Sequence, residues 1–263
     1  MRFLIIGIQR SGTTFVSRLL SGHPDCEMFS DELKITPLFS SGIKLFGYGS
    51  ETKEDINRGY VNLFDAITRK ERNVSFWGAK IALANPFLAK TLVSCLNEYF
   101  TDINIIRVNR VDSVARIGSL VRAKKSGVFH SWSQNAKSNI QINFKIPQGT
   151  FKRYYLRELE IESILDQLIH PVIEVNYEND INNQNDKSKL LEKIGINKIT
   201  PDWINTKKVA PNPEQYIKNY KKLAKYREKL NSMYHQGMLP IDYKIYLRLK
   251  NIKSDQLVNM GSL

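Results

Sequence analysis

The residues with the clearest chemistry lie in the first turn of the chain, Gly7-Ile8-Gln9-Arg10-Ser11-Gly12-Thr13-Thr14. They follow the apolar run Phe3-Leu4-Ile5-Ile6 and open a stretch with Phe15, Val16, Leu19 and Leu20 at helical spacing. A strand that ends in a glycine loop and opens a helix aims several backbone N–H groups, and the positive end of the helix dipole, at one point. The chemistry on offer is the binding of an anion, phosphate above all.

Gly7 and Gly12 stand at the spacing of the phosphate loop G-x-x-x-x-G-K-[ST], and Thr14 holds its hydroxyl position. Thr13 replaces the lysine of that pattern, and the cation of the loop is Arg10, three residues earlier. The cradle is kept without the group that reaches the β- and γ-phosphates of a nucleoside triphosphate. A second cation, Lys80, ends the strand pattern Val74 to Ile81, and parallel sheets bind ligands at the carboxyl ends of their strands. A third, Arg110, follows the strand Asn104–Asn109 and leads through Val111 and Asp112 into a helix from about Ser113 to Lys125.

Arg10-Ser11-Gly12-Thr13-Thr14 resembles the 5′-phosphosulfate loop of the sulfotransferases, which bind 3′-phosphoadenosine 5′-phosphosulfate (PAPS) and carry K/R-[SAG]-G-[TS]-[TS] after their first strand. The resemblance continues at His23-Pro24-Asp25, similar to the family's stop of the first helix, and at Glu32, where the family places its catalytic acid-base residue. Trp77-Gly78-Ala79-Lys80 resembles the second-strand motif of carbohydrate sulfotransferases. Arg110 and Ser119 resemble the arginine and serine that hold the 3′-phosphate, nine residues apart here against eight in the cytosolic branch. Arg110, Asp112, Ser119, Leu120, Arg122 and Ala123 resemble the R-x-D-x₆-S-L-x-R-A pattern of bacterial trehalose and nodulation-factor enzymes, with Ile117-Gly118 in place of the usual Gln-Ala. Asp112 equally suits a plain helix cap.

Two later stretches extend the likeness. Tyr177-Glu178-Asn179 with Ile181 resembles the family's Y-E-[DN]-[LI] and is given a structural role. Thr206-Lys207-Lys208-Val209-Ala210-Pro211 resembles the basic loop that closes the 3′-phosphate pocket, through Lys207 or Lys208; a solvated basic turn is the alternative.

The resemblance implies an α/β fold of the P-loop nucleotide-kinase type, a central parallel sheet of about four or five strands flanked by helices. It implies in-line transfer of a sulfuryl group from PAPS, leaving 3′-phosphoadenosine 5′-phosphate (PAP), to a hydroxyl of the glycan or glycolipid class that bacterial nodulation-factor, trehalose and lipopolysaccharide-type relatives modify. Arg10, Ser11, Gly12, Thr13 and Thr14 would hold the phosphosulfate, and Arg110 and Ser119, with Lys207 or Lys208, the 3′-phosphate. Glu32 would take the acceptor proton, with Glu27 and Asp31 as competing acids, since the histidine of the cytosolic branch has no counterpart near Lys80. Lys80 would neutralise charge on the sulfuryl or bridging oxygen, and no metal is implied. An ATP-dependent small-molecule kinase with an atypical loop, or a basic nucleic-acid-binding protein, would answer to the same charge, although nucleic acid is not the expected partner.

The elements that must position these groups are those of one α/β domain. At 263 residues the chain can bury a full core, and strands alternate with helical stretches without a repeat or a proline- or glycine-rich linker. Lysine and arginine number 39 against 26 acids, a formal +13, which suits polyanions, including membrane head groups at a peripheral contact. Lys218, Lys221, Lys222, Lys225, Arg227 and Lys229 cover most sides of a helix and read as a solvated surface. The two cysteines, Cys26 and Cys95, form no disulfide framework or metal spacing, and the first apolar run is too short for a signal peptide or a span, so a cytoplasmic protein is expected.

Residues 126–150 read as an irregular segment suited to a substrate lid, with Phe129, His130, Trp132 and Phe144 available to stack on a ligand or to pack on the body. Helices are expected over Tyr154–Gln167 and Lys187–Ile194, with a buried strand over Pro171–Val175 between them and a further helix from near Pro213. Residues 236–263 carry no motif and read as an uncertain C-terminal extension.

Overall fold

Apolar runs rich in β-branched residues mark most of the strands, and in a computed structural model five segments pair as β1 (Arg2–Ile8), β2 (Cys26–Phe29), β3 (Phe76–Leu83), β4 (Asn104–Asn109) and β5 (Val172–Asn176). The structure describes residues 1–29, 74–100, 102–126, 143–181, 187–196 and 212–238. The strands form one sheet in the order β2-β3-β1-β4-β5, parallel throughout. Helices α1 (Thr13–Ser21), α2 (Pro86–Tyr99), α3 (Ser113–Ser126), α4 (Gln148–Leu165), α5 (Lys187–Ile194), α6 (Pro213–Tyr216) and α7 (Tyr220–His235) accompany it, with a single π-turn at Tyr177–Ile181. This is the α/β architecture expected from the sequence.

The side-chain period of two divides β1 between two cores. Leu4, Ile6 and Ile8 meet Leu88, Leu92 and Leu96 of α2 and Ile161 and Leu165 of α4 on one face. Phe3 and Ile5 meet Val16, Leu19 and Leu20 of α1 and Leu190, Leu191 and Ile194 of α5 on the other. Each of these large side chains contributes about 1.5–3 kcal/mol by leaving water, far more than the few tenths by which helix propensities differ, so burial decides where the helices lie.

Two boundaries differ from the expectation. Strand β3 runs on to Leu83, because Ile81 and Leu83 pair with Ile6 and Ile8, so Lys80 stands opposite Ile5 within the strand and not at its carboxyl end. Helix α4 begins at Gln148 behind Pro147, and of the aromatics in the preceding stretch Phe144 packs on the body. Phe144 and Ile146 are buried with Phe151, Tyr216, Ile217 and Leu223 in a third apolar cluster. Phe144 exchanges backbone hydrogen bonds with Tyr216 and Lys218, fastening the start of α4 to the last part of the described chain. The aromatics Phe129 and Trp132, with His130, lie outside the described residues, as does the extension beyond Met238. Among the described residues no helix is long and apolar enough to cross a membrane.

Candidate anion site at the carboxyl ends of β1 and β4

The strand order creates the site. The chain leaves β1 for β2 on one side of the sheet and leaves β4 for β5 on the other, so the carboxyl ends of these neighbouring strands flank a crevice where crossovers diverge. Three connections converge there: the loop after β1, Arg110 after β4 and the π-turn after β5.

The loop is shaped by backbone constraints. A Cβ on Gly7 would lie 2.6 Å from the carbonyl oxygen of Val108, so only glycine lets the end of β1 pass this close to β4. Gly12 turns the chain at φ +110° and Arg10 sits at φ +71°, a left-handed conformation that is costly for a residue with a Cβ. The Ser11 amide turns back to the Ile8 carbonyl, and the amides of Phe15 and Val16 both reach the Gly12 carbonyl. The amides of Thr13 and Thr14 therefore precede the first helical bond and point out of the helix start, where an anion is stabilised. Ser11 is fully buried, and its hydroxyl has no hydrogen-bond partner among the described residues.

Arginines from separate elements close the other side. Arg10 donates through Nε to Ser119 Oγ at 3.0 Å, and Arg110 Nη1 approaches the Arg10 carbonyl oxygen at 3.4 Å. The Arg110 guanidinium lies 4.4 Å from the centre of the Tyr177 ring, and the same ring stacks against Gly12, within 2.6 Å of where a Cβ would stand. Glu178 accepts the Val111 and Asp112 amides at 3.1 Å each and faces Arg110 Nε at 3.8 Å. Asp112 caps α3 by accepting the Ala115 amide at 2.9 Å and accepts a 2.7 Å hydrogen bond from the Tyr220 hydroxyl. Burial, and then the guanidiniums of Arg122 and Arg110, hold Arg10 below its usual value. The crevice is electropositive and partly dry, the setting in which an anion is held most strongly.

No protein-family model and no curated protein matches the chain. Among solved structures the chain is similar to the sulfotransferase domain from the Synechococcus PCC 7002 olefin synthase, at 14% identity and a TM-score of 0.40 over 85% of this chain and 94% of that one.

Of the residues singled out in the sequence, Arg10, Ser11, Gly12, Thr13 and Thr14 share the loop, and Arg110 and Ser119 meet Arg10. Lys80 joins them from β3, its Nζ 3.4 Å from Thr14 Oγ1. Glu32, its competitor Asp31, and Lys207 and Lys208 lie outside the described residues. Glu27 stands apart: it pairs with Trp77, which is level with Arg2 at the amino end of β1, about 20 Å along the strands from the loop. His23 is buried and accepts the Asp25 amide on Nδ1, ending α1 in a structural capacity.

Three contributors were not assigned to the site from sequence. Arg122 follows Ser119 by three residues and shares its face of α3, a helical spacing that could have flagged it. Tyr216 comes from a distant helix and has no local signal. The Tyr177-Glu178 pair was expected to be structural, and its contacts show what it holds: the guanidinium of Arg110 and the turn at Gly12.

Proposed function

We propose that the protein is a sulfotransferase that moves a sulfuryl group from PAPS to a hydroxyl on a glycan or glycolipid. One observation carries this reading. The loop cation Arg10 is bonded to Ser119 and touched by Arg110, so two anion-binding positions on separate connections form one crevice without the lysine a nucleoside triphosphate requires. A nucleotide with phosphate groups on both the 5′ and 3′ oxygens of one ribose is a chemically matched ligand for such a pair.

The residues fit that group. The buried Ser11 hydroxyl and the buried Arg110 Nε lack hydrogen-bond partners among the described residues, and both belong to the crevice. When bound, PAPS supplies an activated sulfuryl group with a phosphate as leaving group. Arg10, the Thr13 and Thr14 amides and hydroxyls, and Lys80 would stabilise the negative charge that develops on the 5′ side, the preorganised electrostatic role that commonly dominates such sites. Arg110 and Ser119, with Lys207 or Lys208, would hold the 3′ side. Glu32 would accept the proton of the acceptor hydroxyl as the new bond forms; Glu27, its earlier competitor, lies at the opposite end of the sheet from the loop.

Calorimetric titration with PAP, set against ATP with magnesium, tests the nucleotide, and transfer from labelled PAPS to a panel of sugars and lipid-linked glycans tests the acceptor. Tight PAP binding with labelled glycan is expected. Preference for ATP and magnesium would replace the reading with a kinase.

A further inference from the structure

The lysines of α7 do not surround their helix. At about 100° per residue, Lys221, Lys222, Lys225 and Lys229 fall within an arc of about 100° that runs about 12 Å along the axis, and all four are exposed. Leu223 and Leu230 are buried away from this arc in the third apolar cluster. Arg227, the one arginine of α7, also turns inward, its Nη1 donating to the Val111 carbonyl at 3.2 Å.

The ridge continues beyond the helix. Phe144 and Ile217 form a parallel bridge and both side chains are buried, so their successors Lys145 and Lys218 turn the other way, to solvent. Lys145 and Lys222 line a depression of about 300 Å³ together with Gln148 and Tyr226. Among the described residues none of these six lysines pairs with a carboxylate, and Glu228, at the edge of the arc, is the one acid of α7. Like charges gathered in this way repel one another, and a surface of opposite charge relieves that cost.

Shape and side-chain type select the occupant. The arc carries no aromatic ring, so it lacks the stacking platform that holds single-stranded nucleic acid. Its cations are point charges and not the planar forks suited to bidentate phosphate recognition. It also lacks a large apolar side chain that could enter a bilayer core, which leaves charge to make the contact. A straight helix meets a plane along its whole length, and six lysines fall within the roughly four to eight cations that mark lipid-binding clusters.

We propose that the ridge formed by Lys145, Lys218, Lys221, Lys222, Lys225 and Lys229 seats the protein on an anionic bilayer, with α7 lying along the plane of the phospholipid headgroups. This goes beyond the proposed reaction and draws on no residue of the crevice. It brings the protein to the surface in which a glycolipid acceptor is held.

The test is co-sedimentation of the full chain with vesicles of phosphatidylcholine alone and of phosphatidylcholine mixed equally with phosphatidylglycerol. Binding is expected to the mixed vesicles only, with release in about 1 M salt, where the screening length falls to ~3 Å. Each lysine near an anionic surface strengthens binding about 5-fold, so Lys225→Gln combined with Lys229→Gln should weaken it by roughly 10- to 30-fold. Lys90→Gln combined with Lys189→Gln removes the same charge from exposed positions on α2 and α5 and should weaken it by less than about 3-fold. Equal losses in the two pairs would reduce the contact to the net charge of the chain and overturn the assignment, as would equal binding to neutral vesicles. Tight binding of polyuridylate RNA without binding to mixed vesicles would give the ridge to nucleic acid and overturn the membrane contact. PAP affinity should be the same in the parent and both pairs, so failure of the vesicle result leaves the two-ended site standing, and a preference for ATP leaves the vesicle result standing.

Discussion

The Nε of Arg10 donates a 3.0 Å hydrogen bond to the Oγ of Ser119, joining the loop after β1 to the middle of α3 across 109 residues of sequence. A ligand that engages the Ser119 hydroxyl must share this bond or take it over, and in doing so it changes the freedom of the loop cation. The two ends of the crevice are therefore parts of one energetic unit.

Arg10→Ala is expected to slow sulfuryl transfer on the order of 10²-fold, as removal of one preorganised donor does. Ser119→Ala should weaken PAP by about 5- to 10-fold. Because the groups are bonded, PAP affinities of the two single variants and the double variant should reveal a coupling of about 0.5–3 kcal/mol. Strictly multiplicative losses would show that the two ends act independently.

Glu178 holds the turn that presents Arg110, since its two oxygens accept the amides of Val111 and Asp112. Glutamine offers one oxygen and one donor, so Glu178→Gln leaves an amide facing an N–H₂ group. Chemical denaturation should register a loss of about 1–3 kcal/mol, and titration should show PAP weakened more than adenosine 5′-phosphate. Equal weakening of both ligands would mean that Glu178 serves the fold without positioning Arg110.

Glu32→Gln should lower kcat by roughly 10²- to 10⁴-fold, the usual contribution of a general base, while PAP affinity stays within about 2-fold of the parent. Steady-state transfer assays and PAP titration separate the two effects. Retention of full activity by this variant, with loss in Asp31→Asn, would move the role one residue back.

The Arg116–Glu158 pair between α3 and α4 makes stability depend on pH. The two groups are buried and 2.7 Å apart, and burial, opposed by Arg116, pushes Glu158 from 4.5 up to about 7. A folded-state value above the unfolded one means that the native protein binds the extra proton. The contribution of this group to stability is thus full below about pH 4.5 and is lost as pH rises through about 7. Glu158→Gln should abolish this slope in denaturation curves between these limits, and should lower stability at neutral pH by leaving the Arg116 charge buried without its counter-ion. A slope unchanged in the Gln variant would assign it to other groups.

Most of the framework follows from local patterns. The apolar run Phe3 to Ile6, the periodic residues Val16, Leu19 and Leu20, and the glycine that must follow a tight strand-to-helix turn act over a few residues, so α1 spans Thr13–Ser21 and β4 spans Asn104–Asn109 as expected. Where pairing across the sheet decides, local patterns end too early: β3 extends to Leu83 because β1 offers Ile8 as a partner, and that moves Lys80 inside the strand. The same holds for Phe144, polar in its neighbourhood yet buried against Ile217.

By itself the sequence established a glycine loop that carries a cation, a second cation after the fourth strand and a serine nearly two turns along the next helix, because each depends on spacing within one strand-to-helix unit. Only the tertiary structure decided that these units face each other. The strand order puts β1 beside β4, and that adjacency turns Arg10 onto Ser119, brings Arg122 and Tyr216 to the same crevice, and sets Glu27 at the far end of the sheet. Contacts of this kind are fixed by which elements share a core, a property of the whole folded chain that no window of neighbouring residues contains.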